Sequence, residues 1–497
     1  MRLRPMAMLC GIVCALVVSR GSVAHRVAET VESDLHAAMS VLEETGAARA
    51  SFYLYELPNE LNTKLADCFH FTHSGVELWH FDDKEMAQNS GELFLYALLK
   101  RHPLRITDAA LQADPTLEPD LYFIPYYSFL STLTTEYPTD WDFRGDDKIK
   151  AFRGCMRNQD VDDRAVLLHE TLTAHRFYTP ERMRKHVMMF PFWYNGERAW
   201  GKVMKDLAPA GAFLLANDLV FKDGDGILPE GWAKGSEFVA VPYVSNMHAG
   251  QSMREACVES KARRRNCFWR GDALRQVRFK SQHGSDRLAI ATYLDRCELC
   301  GIEGSHKKRW WGPTFKTTPL PRDKAIEAYE SGMACSAYCP VMGGDTPTTR
   351  RLYDAIYSGC VPLIIDDALA RDSDLPFSAV LDWSAFSVTV RQPKHDALRA
   401  TSACAGIALT HQLKGLYADA AGLAAKRVHL RNARNALAWA TLDVSTAEGK
   451  AVYHSQTDTP AHGDPFASGA YSPTAIADVL LRELESRLRA RGADALH

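Results

Sequence analysis

Short apolar runs that alternate with helix-length segments are the feature of this 497-residue chain that most restricts its fold. In the first half of the chain we predict strands at 52–55, 121–125, 165–168, 187–190 and 212–216, with a helix at 91–101. Parallel strands need long connections, which are usually helices, so this alternation favours a mostly parallel sheet. The sequence therefore predicts an α/β protein.

A second series of the same kind follows a Gly- and Asp-rich stretch at 221–235, which we interpret as a linker. Its strands are predicted at 239–244, 267–269 and 361–365. We therefore predict an N-terminal domain at 49–230 and a C-terminal domain at 231–440, of similar size and facing each other. Residues 441–497 are predicted as a turn-rich loop and a last helix, which begins near Ser472 and Pro473.

The N-terminal residues have the pattern of a secretory signal. Arg2 and Arg4 precede an apolar stretch at 5–18, and small residues suited to cleavage follow. This stretch is shorter than the roughly 20 residues that span a bilayer, so we predict a signal peptide or short anchor at 1–24. The helical spacing of apolar residues at 25–48 predicts a stem helix.

Ten cysteines follow the predicted signal: Cys68, Cys155, Cys257, Cys267, Cys297, Cys300, Cys335, Cys339, Cys360 and Cys404. An oxidising compartment favours disulfides, beside unpaired buried thiols. The pair Cys297 and Cys300, followed by Cys335 and Cys339, is also compatible with a four-thiolate zinc site, although the second pair has a looser spacing and lies in a predicted phosphate loop.

The densest functional signal is the stretch at 333–367, MACSAYCPVMGGDTPTTRRLYDAIYSGCVPLIIDD. Gly344 and Asp345 belong to a tight turn that leads into a helix at 349–358, and Gly359 ends this helix. The first N–H groups of a helix lack partners within it and favour a diphosphate. Since the net charge of the chain is only −3, an anion site has to come from a local group of donors and positive charges. The composition has no excess of positive charge that would favour binding to nucleic acid.

Side chains around this turn add to the predicted anion site. Thr348 and Thr349 supply hydroxyl donors, and Arg351 supplies a fixed charge. Asp354 lies three residues after Arg351, on nearly the same face of the helix, where its carboxylate can accept hydrogen bonds from a ribose diol. The alternative is that Asp354 and Arg351 only pair with each other on the helix surface.

A basic stretch at 261–280 forms the second signal. Arg270 comes at the end of the strand predicted at 267–269, where a guanidinium can bind phosphate through two hydrogen bonds. Arg278 and Arg287 are candidate companions. The alternative for each arginine is a solvated surface position.

Several of these stretches resemble, in the same order, the exostosin-like glycosyltransferase family, and the GDTP and DAI segments are similar to its plant and algal branch. The matching stretches are FYLYELP at 52–58, YFIPYYS at 122–128, FWRG at 268–271, the run from GDTP to IIDD at 344–367 and LPFSAVLDWSAFSVTV at 375–390. The resemblance extends from about residue 50 to 395. It is loose at 129–235, and Asp354 stands where many animal members have Glu.

The resemblance implies an α/β fold with two Rossmann-like domains that face a cleft, of the GT-B type, with the nucleotide held by the C-terminal domain. It implies an inverting glycosyltransferase that uses a UDP-sugar as donor substrate, with no metal and no other cofactor. The acceptor would be a polysaccharide or a glycoprotein glycan in the Golgi or the lumen of the secretory pathway. The membrane would be reached only through the N-terminal segment, and a homo- or hetero-oligomer is compatible with this interpretation.

Inverting transfer needs a base for the acceptor hydroxyl. Glu56 follows the first predicted strand and matches an acidic position of the family, so it is the candidate base; the alternative is a carboxylate that caps a turn. Asp218 and His248 are further candidates in the cleft.

The sequence is also compatible with two other interpretations. The triplet at 223–225 resembles the DxD motif that holds a divalent cation in another class of glycosyltransferases. The chain could also be a catalytically silent carbohydrate-binding or assembly subunit, in which aromatic groups at 192–194 and 310–311 stack on sugars or simply fill the core.

Overall fold

The computed structural model describes residues 50–72, 91–134, 155–156, 160–191, 196–217, 235–245, 257, 265–271, 282–304, 322–343, 348–365, 375–391, 404, 408–437, 439 and 475–491. By internal contacts, residues Ala48–His497 form one compact unit. None of the helices described in this part of the chain is long and apolar enough to cross a membrane. The predicted signal at 1–24 and stem helix at 25–48 lie outside the described residues.

Six parallel strands form the first sheet: β1 (Phe52–Leu54), β2 (Arg105–Ile106), β3 (Leu121–Phe123), β4 (His186–Met189), β5 (Phe213–Ala216) and β6 (Glu237–Ala240). Their order in space is β2-β1-β3-β4-β5-β6. The helices between them are α1 (Thr63–Thr72), α2 (Gly91–Lys100), α3 (Asp108–Ala113), α4 (Ser128–Leu133), α5 (Val161–Thr173) and α6 (Gly196–Leu207).

Five parallel strands form the second sheet: β7 (Arg265–Gly271), β8 (Gly301–Gly304), β9 (Ser336–Val341), β10 (Val361–Ile364) and β11 (Val388–Thr389). Their order is β11-β10-β9-β7-β8. The helices in and after this part are α7 (Gln282–Arg296), α8 (Arg322–Ala334), α9 (Arg351–Tyr357), α10 (Trp383–Phe386), α11 (Ala408–Ala418), α12 (Ala420–Leu437) and α13 (Ala475–Ala490). The prediction of an α/β fold with parallel sheets is confirmed.

The first sheet is covered on both faces. Successive residues of a strand point to opposite sides, so Phe52 and Leu54 join one apolar cluster while Tyr53 and Tyr55 join another. Burial on both faces explains why these strands have nearly continuous apolar sequences.

The last helix, α13, contacts elements from both halves of the chain. Glu483 accepts a hydrogen bond from the backbone N–H of Ala379 at 2.9 Å. One turn further on, Arg487 donates to the carbonyl of Phe238, in β6, at 3.2 Å. The C-terminal helix therefore ties the first sheet to the loop that precedes α10.

The strand predicted at 165–168 is wrong, because these residues lie inside α5. The side chain of Asp160 accepts hydrogen bonds from the backbone N–H groups of Asp162 and Asp163, at 2.8 Å and 2.9 Å, and the Asp163 side chain accepts one from the Asp160 N–H. This capping box starts a helix. A run of four apolar residues does not by itself distinguish a strand from a buried helix segment.

The strand predicted at 239–244 belongs to the first sheet, whereas the sequence places it at the start of the second. It forms at Glu237–Ala240 and pairs with β5. The chain therefore leaves the first sheet only after Ala240, so a domain boundary at residue 230 does not separate the two sheets. The boundaries at residues 48 and 440 stay predictions. The segment Ser336–Val341 also forms a strand, β9, which is absent from the strands predicted from the sequence.

The predicted disulfides are confirmed. The pairs are Cys68–Cys155, Cys257–Cys335, Cys267–Cys300, Cys297–Cys404 and Cys339–Cys360. The zinc interpretation is wrong, because its four cysteines belong to four different disulfides. Within the described residues no other group of His, Cys, Asp and Glu side chains is arranged to hold a metal ion.

Candidate functional site

The carboxyl ends of β7, β9 and β10 lie side by side, because these parallel strands are neighbours in the second sheet. Ligands of α/β proteins bind outside this edge of the sheet. Arg270 lies near the end of β7, and Gly343 follows the end of β9. The segment after Gly343 leads into α9, so the sequence motifs around Arg270 and Arg351 meet at one edge.

The helix α9 ends as the sequence predicts. Gly359 has a positive φ of 66°, the backbone conformation that favours glycine. Its N–H donates to the carbonyl of Ile356, and the N–H of Cys360 donates to the carbonyl of Ala355. These two bonds form a Schellman motif, which turns the chain directly into β10.

Arg351, the first residue of α9, packs against the end of β7. Its Nη2 donates to the carbonyl oxygen of Arg270 at 2.8 Å. Its guanidinium carbon lies 4.8 Å from the centre of the Trp269 ring, a cation–π contact. Gly271 makes this approach possible, because a Cβ added there would overlap Arg351 Nη2 and lie 3.0 Å from the Trp269 ring.

Arg270 forms an ion pair with a residue of the neighbouring strand. Its Nη1 donates to Glu303 Oε2 at 2.8 Å, and the two residues are in register between β7 and β8. Arg270 is buried, whereas the Glu303 side chain is 30% exposed. The charge of Arg270 is therefore partly balanced before any ligand arrives.

Arg287, on α7, reaches the loop that follows β9. Its Nε donates to the carbonyl oxygen of Gly343 at 2.7 Å, and its Nη2 contacts the same oxygen. Arg287 is buried. In this geometry its guanidinium fixes the backbone immediately before the predicted glycine turn.

Asp354 is buried, with only 1% of its surface exposed, and three side chains of the described residues donate to it. Ser245 Oγ donates to its Oδ1 at 2.7 Å, and Tyr329 OH donates to its Oδ2 at 2.8 Å. Arg350 Nε donates to Oδ2 at 3.1 Å and forms an ion pair with it. Burial raises the pKa of Tyr329, so this phenol stays a donor.

The alternative of an Asp354–Arg351 pair is therefore wrong, because the arginine that pairs with Asp354 is Arg350, one turn before it. Spacings of three and of four residues both place two side chains on the same face of a helix. The proposed contact between Asp354 and a ribose stays a prediction.

The remaining donor-site candidates are only partly placed. Thr348 is buried, and Thr349 Oγ1 accepts a hydrogen bond from the backbone N–H of Arg351 at 3.4 Å. Their contact with phosphate stays a prediction. The other candidates and alternatives lie outside the described residues: Arg278, Gly344, Asp345, Asp218, His248, the triplet at 223–225 and the aromatic groups at 192–194 and 310–311.

Glu56 lies in the segment after β1, at the carboxyl edge of the first sheet, and its side chain is exposed. This position leaves it accessible to a substrate. Its role as a base stays a prediction.

Glu92, on α2, is a buried carboxyl group that sequence reasoning missed. It accepts hydrogen bonds from Ser128 Oγ at 3.0 Å and from the backbone N–H groups of Phe129 and Leu130 at 3.1 Å and 3.4 Å. Burial raises its pKa to about 8, although these hydrogen bonds oppose the shift. Its sequence signal is an acidic residue at the start of the apolar helix GELFLYALLK.

Glu92 also fixes an edge of the first sheet. Ser128 Oγ, which donates to Glu92, lies 2.9 Å from the carbonyl oxygen of Met189, the last residue of β4. The start of α4 is thereby tied to α2 and to the carboxyl end of β4.

The comparisons with known proteins place this chain in a family. The family described as Exostosin GT47 domain matches residues 47–402, which is most of the chain. The chain therefore belongs to the exostosin GT47 family, and its two parallel sheets are consistent with the GT-B-like fold of that family. The resemblance of the motifs is confirmed.

Three proteins of Arabidopsis thaliana share short segments with this chain. One, named a probable arabinosyltransferase, is 44% identical over 63 residues, which is 13% of this chain and 13% of that protein. Two others, both named probable glycosyltransferases, are 42% identical over 78 residues and 38% identical over 71 residues. Each of these matches covers 14% of this chain, and they cover 16% and 12% of the relatives. The matches thus span a small part of each relative.

Proposed function

We propose that this protein is an inverting glycosyltransferase that moves a sugar from a UDP-sugar to a polysaccharide or a glycoprotein glycan. Membership of the exostosin GT47 family supports transfer chemistry. The names of the Arabidopsis relatives support it too, and one of them makes arabinose a donor sugar to test. Five disulfides support a site of action in the oxidising lumen of the secretory pathway, including the Golgi.

The observation that carries the proposal is the charge of Arg351. Three arginines, at 270, 350 and 351, lie around the start of α9. Arg270 pairs with Glu303 and Arg350 pairs with Asp354. Arg351 contacts a carbonyl oxygen and an aromatic ring, and it has no carboxylate partner among the described residues. A positive charge without a counter-ion at the ligand edge of the sheet is suited to a diphosphate.

In the proposed reaction the acceptor hydroxyl oxygen attacks the anomeric carbon of the donor sugar, and the bond from that carbon to the diphosphate oxygen breaks. Glu56 would take the proton of the hydroxyl. UDP leaves with the electron pair of the broken bond, and Arg351 stabilises the negative charge that develops on it. Arg287 contributes through its bond to Gly343, which holds the loop before α9 in place.

The test is release of UDP from a panel of donors by the full chain. UDP-galactose, UDP-glucuronate, UDP-xylose, UDP-arabinose and UDP-N-acetylglucosamine are each incubated with glycan acceptors, with and without EDTA. We expect one donor to be turned over, and activity that survives EDTA would support a metal-independent reaction. Activity that disappears with EDTA and returns with a divalent cation would favour the metal alternative at 223–225.

Arg351→Ala should reduce turnover at least about a hundred-fold, because a charged contact to the leaving group is lost. Lys324→Ala is the matched control, since Lys324 is an exposed cation on α8 that pairs with nearby Glu327, away from the start of α9 in the chain. Turnover in Arg351→Ala equal to that of the wild type would contradict the site assignment.

The second candidate is a catalytically silent carbohydrate-binding subunit. The buried pairing of Asp354 and the balanced charge of Arg270 favour it, because both groups already have partners. A thermal shift with UDP, but no UDP release from any donor, would identify this alternative.

A further inference from the structure

We propose that the indole N–H of Trp269 and the guanidinium of Arg351 together bind one phosphate group of a nucleoside diphosphate. The inference rests on the proposed function and adds to it a direct contact from Trp269, which lies in the FWRG motif but is not among the ligand candidates drawn from the sequence.

The first observation is an unpaired indole. Trp269 is 1% exposed, and its Nε1 is buried with no hydrogen-bond partner among the described residues. Most tryptophans that are buried to this extent find an acceptor for this N–H. Buried N–H groups are rarely left unpaired, and those that are need a specific explanation.

The second observation is that the neighbouring side chain, Arg351, also has a buried N–H group without an acceptor among the described residues. Arg351 Nε is also buried without a hydrogen-bond partner in the described part of the chain. Its guanidinium carbon lies 4.8 Å from the centre of the Trp269 ring. Two N–H donors that lack acceptors therefore belong to two side chains in direct contact.

The chemistry of these atoms restricts the ligand. Both groups are donors and neither accepts, so the ligand must provide acceptor oxygens. The charge of Arg351 is not balanced by a carboxylate among the described residues, so an anion is preferred over a neutral hydroxyl. A phosphate group meets both requirements, whereas a sugar ring alone does not supply the charge.

The position of the pair restricts the ligand further. Trp269 lies near the carboxyl end of β7, and Arg351 is the first residue of α9, so the pair lies at the edge of the sheet where the donor diphosphate is proposed to bind. Gly271 has no side chain and leaves room for the guanidinium beside the ring. The Arg351 guanidinium now donates to the carbonyl of Arg270, so binding requires it to exchange this oxygen for a phosphate oxygen.

The experiment uses Trp269→Phe, which removes the N–H and keeps an aromatic ring under Arg351. The matched control is Trp200→Phe, because Trp200 is equally buried and its Nε1 also lacks a partner among the described residues, but it packs in the first sheet's apolar cluster. Binding of UDP and of inorganic pyrophosphate to each full-length protein is measured by calorimetry, and unfolding of each ligand-free protein is measured by thermal denaturation.

We expect Trp269→Phe to weaken binding of both probes about ten-fold, which is the loss of one hydrogen bond to a charged group. Trp200→Phe should bind both probes within about two-fold of the wild type, because it loses no contact to the anion. Equal affinity of Trp269→Phe and wild type for both probes would overturn the inference.

A second measurement works on the unmutated protein, in case a variant fails to fold. The tryptophan indole N–H signals are followed by ¹⁵N nuclear magnetic resonance during titration with pyrophosphate. The Trp269 signal should move with saturation of the site, and the Trp200 signal should not. If UDP binds and is released from a donor while the Trp269 signal stays unchanged, the inference is overturned and the proposed function stands. If neither UDP nor pyrophosphate binds, both are overturned.

Discussion

Ser245 Oγ donates a hydrogen bond to Asp354 Oδ1 at 2.7 Å, and this bond joins the segment after β6 of the first sheet to α9 at the edge of the second. A second connection runs parallel to it. Trp439 Nε1 donates to the carbonyl of Pro242 at 2.7 Å, and Tyr357 OH donates to the carbonyl of Trp439 at 2.8 Å. The helix that opens the candidate donor site is therefore fixed to the segment that leaves the first sheet.

Asp354 is expected to contribute to stability in the absence of any ligand. Asp354→Ala leaves Arg350 without its buried partner, so the free energy of unfolding should fall by about 3 kcal/mol. Ser245→Ala removes one neutral donor and should cost about 1 kcal/mol. Urea denaturation of the ligand-free proteins measures both values. An Asp354→Ala protein as stable as the wild type would show that this carboxylate is not a structural link.

Gly271 should be intolerant of even a methyl group. Gly271→Ala places a Cβ against Arg351 Nη2 and the Trp269 ring, so we expect UDP affinity to fall at least about ten-fold as the guanidinium is displaced. Gly415→Ala is the control, because a Cβ added there, in α11, would meet no atom of the described residues within 4 Å. That change should leave UDP affinity unaltered and stabilise the helix by up to about 1 kcal/mol. Equal UDP affinity in the two variants would contradict the proposed close approach at Gly271.

Glu92 should make the protein less stable as the pH rises. Burial raises its pKa from 4.5 to about 8, so the folded state holds a proton that the unfolded state has already released. The stabilising effect of this proton is complete below pH 4.5 and is lost as the pH rises to about 8, by about 5 kcal/mol at most. Glu92→Gln should remove this slope, measured by urea denaturation at several pH values.

Glu118→Gln serves as the control for this slope. Ion pairing and hydrogen bonding with Arg182 and Tyr122 lower the pKa of Glu118 against the effect of its burial, so it titrates below this pH range. Its variant should change stability by a constant amount between pH 5 and 8 and leave the slope in place. A wild-type protein whose stability is independent of pH there would contradict the shift at Glu92.

The disulfide Cys339–Cys360 spans part of the candidate donor site. It closes a loop that contains Gly343, Arg351 and Asp354, over a sequence separation of 21 residues. Replacing both cysteines with alanine should cost about 3 kcal/mol through the entropy of the unfolded chain. It should also weaken UDP binding, because the site is built on this loop.

The control is the double alanine variant of Cys68 and Cys155, a disulfide of the N-terminal part with a separation of 87 residues. Its loss should destabilise the protein by a similar or larger amount and leave UDP affinity unchanged at a temperature where both proteins are folded. Equal effects of the two pairs on UDP affinity would argue that the donor site lies elsewhere.

Local sequence determined much of the second sheet's edge. The apolar run at 361–365 predicted the strand that forms as β10, whose residues are all buried, and Gly359 predicted the end of α9. Both depend on the residues at those positions, because a buried strand needs apolar side chains and a left-handed turn favours glycine. The motifs at 52–58, 122–128, 268–271 and 344–367 were sufficient to predict the family, which the comparison confirmed.

Tertiary structure decided which groups meet. Asp354 accepts hydrogen bonds from Ser245 and Tyr329, and Arg287 holds the carbonyl of Gly343. These partners come from elements far apart in the chain, so no spacing in the sequence encodes them. The same holds for the placement of β6 in the first sheet and for the five disulfides. Periodicity and turn chemistry act over a few residues and fix the elements, whereas packing of whole helices and sheets selects the partner of each buried charge and each cysteine.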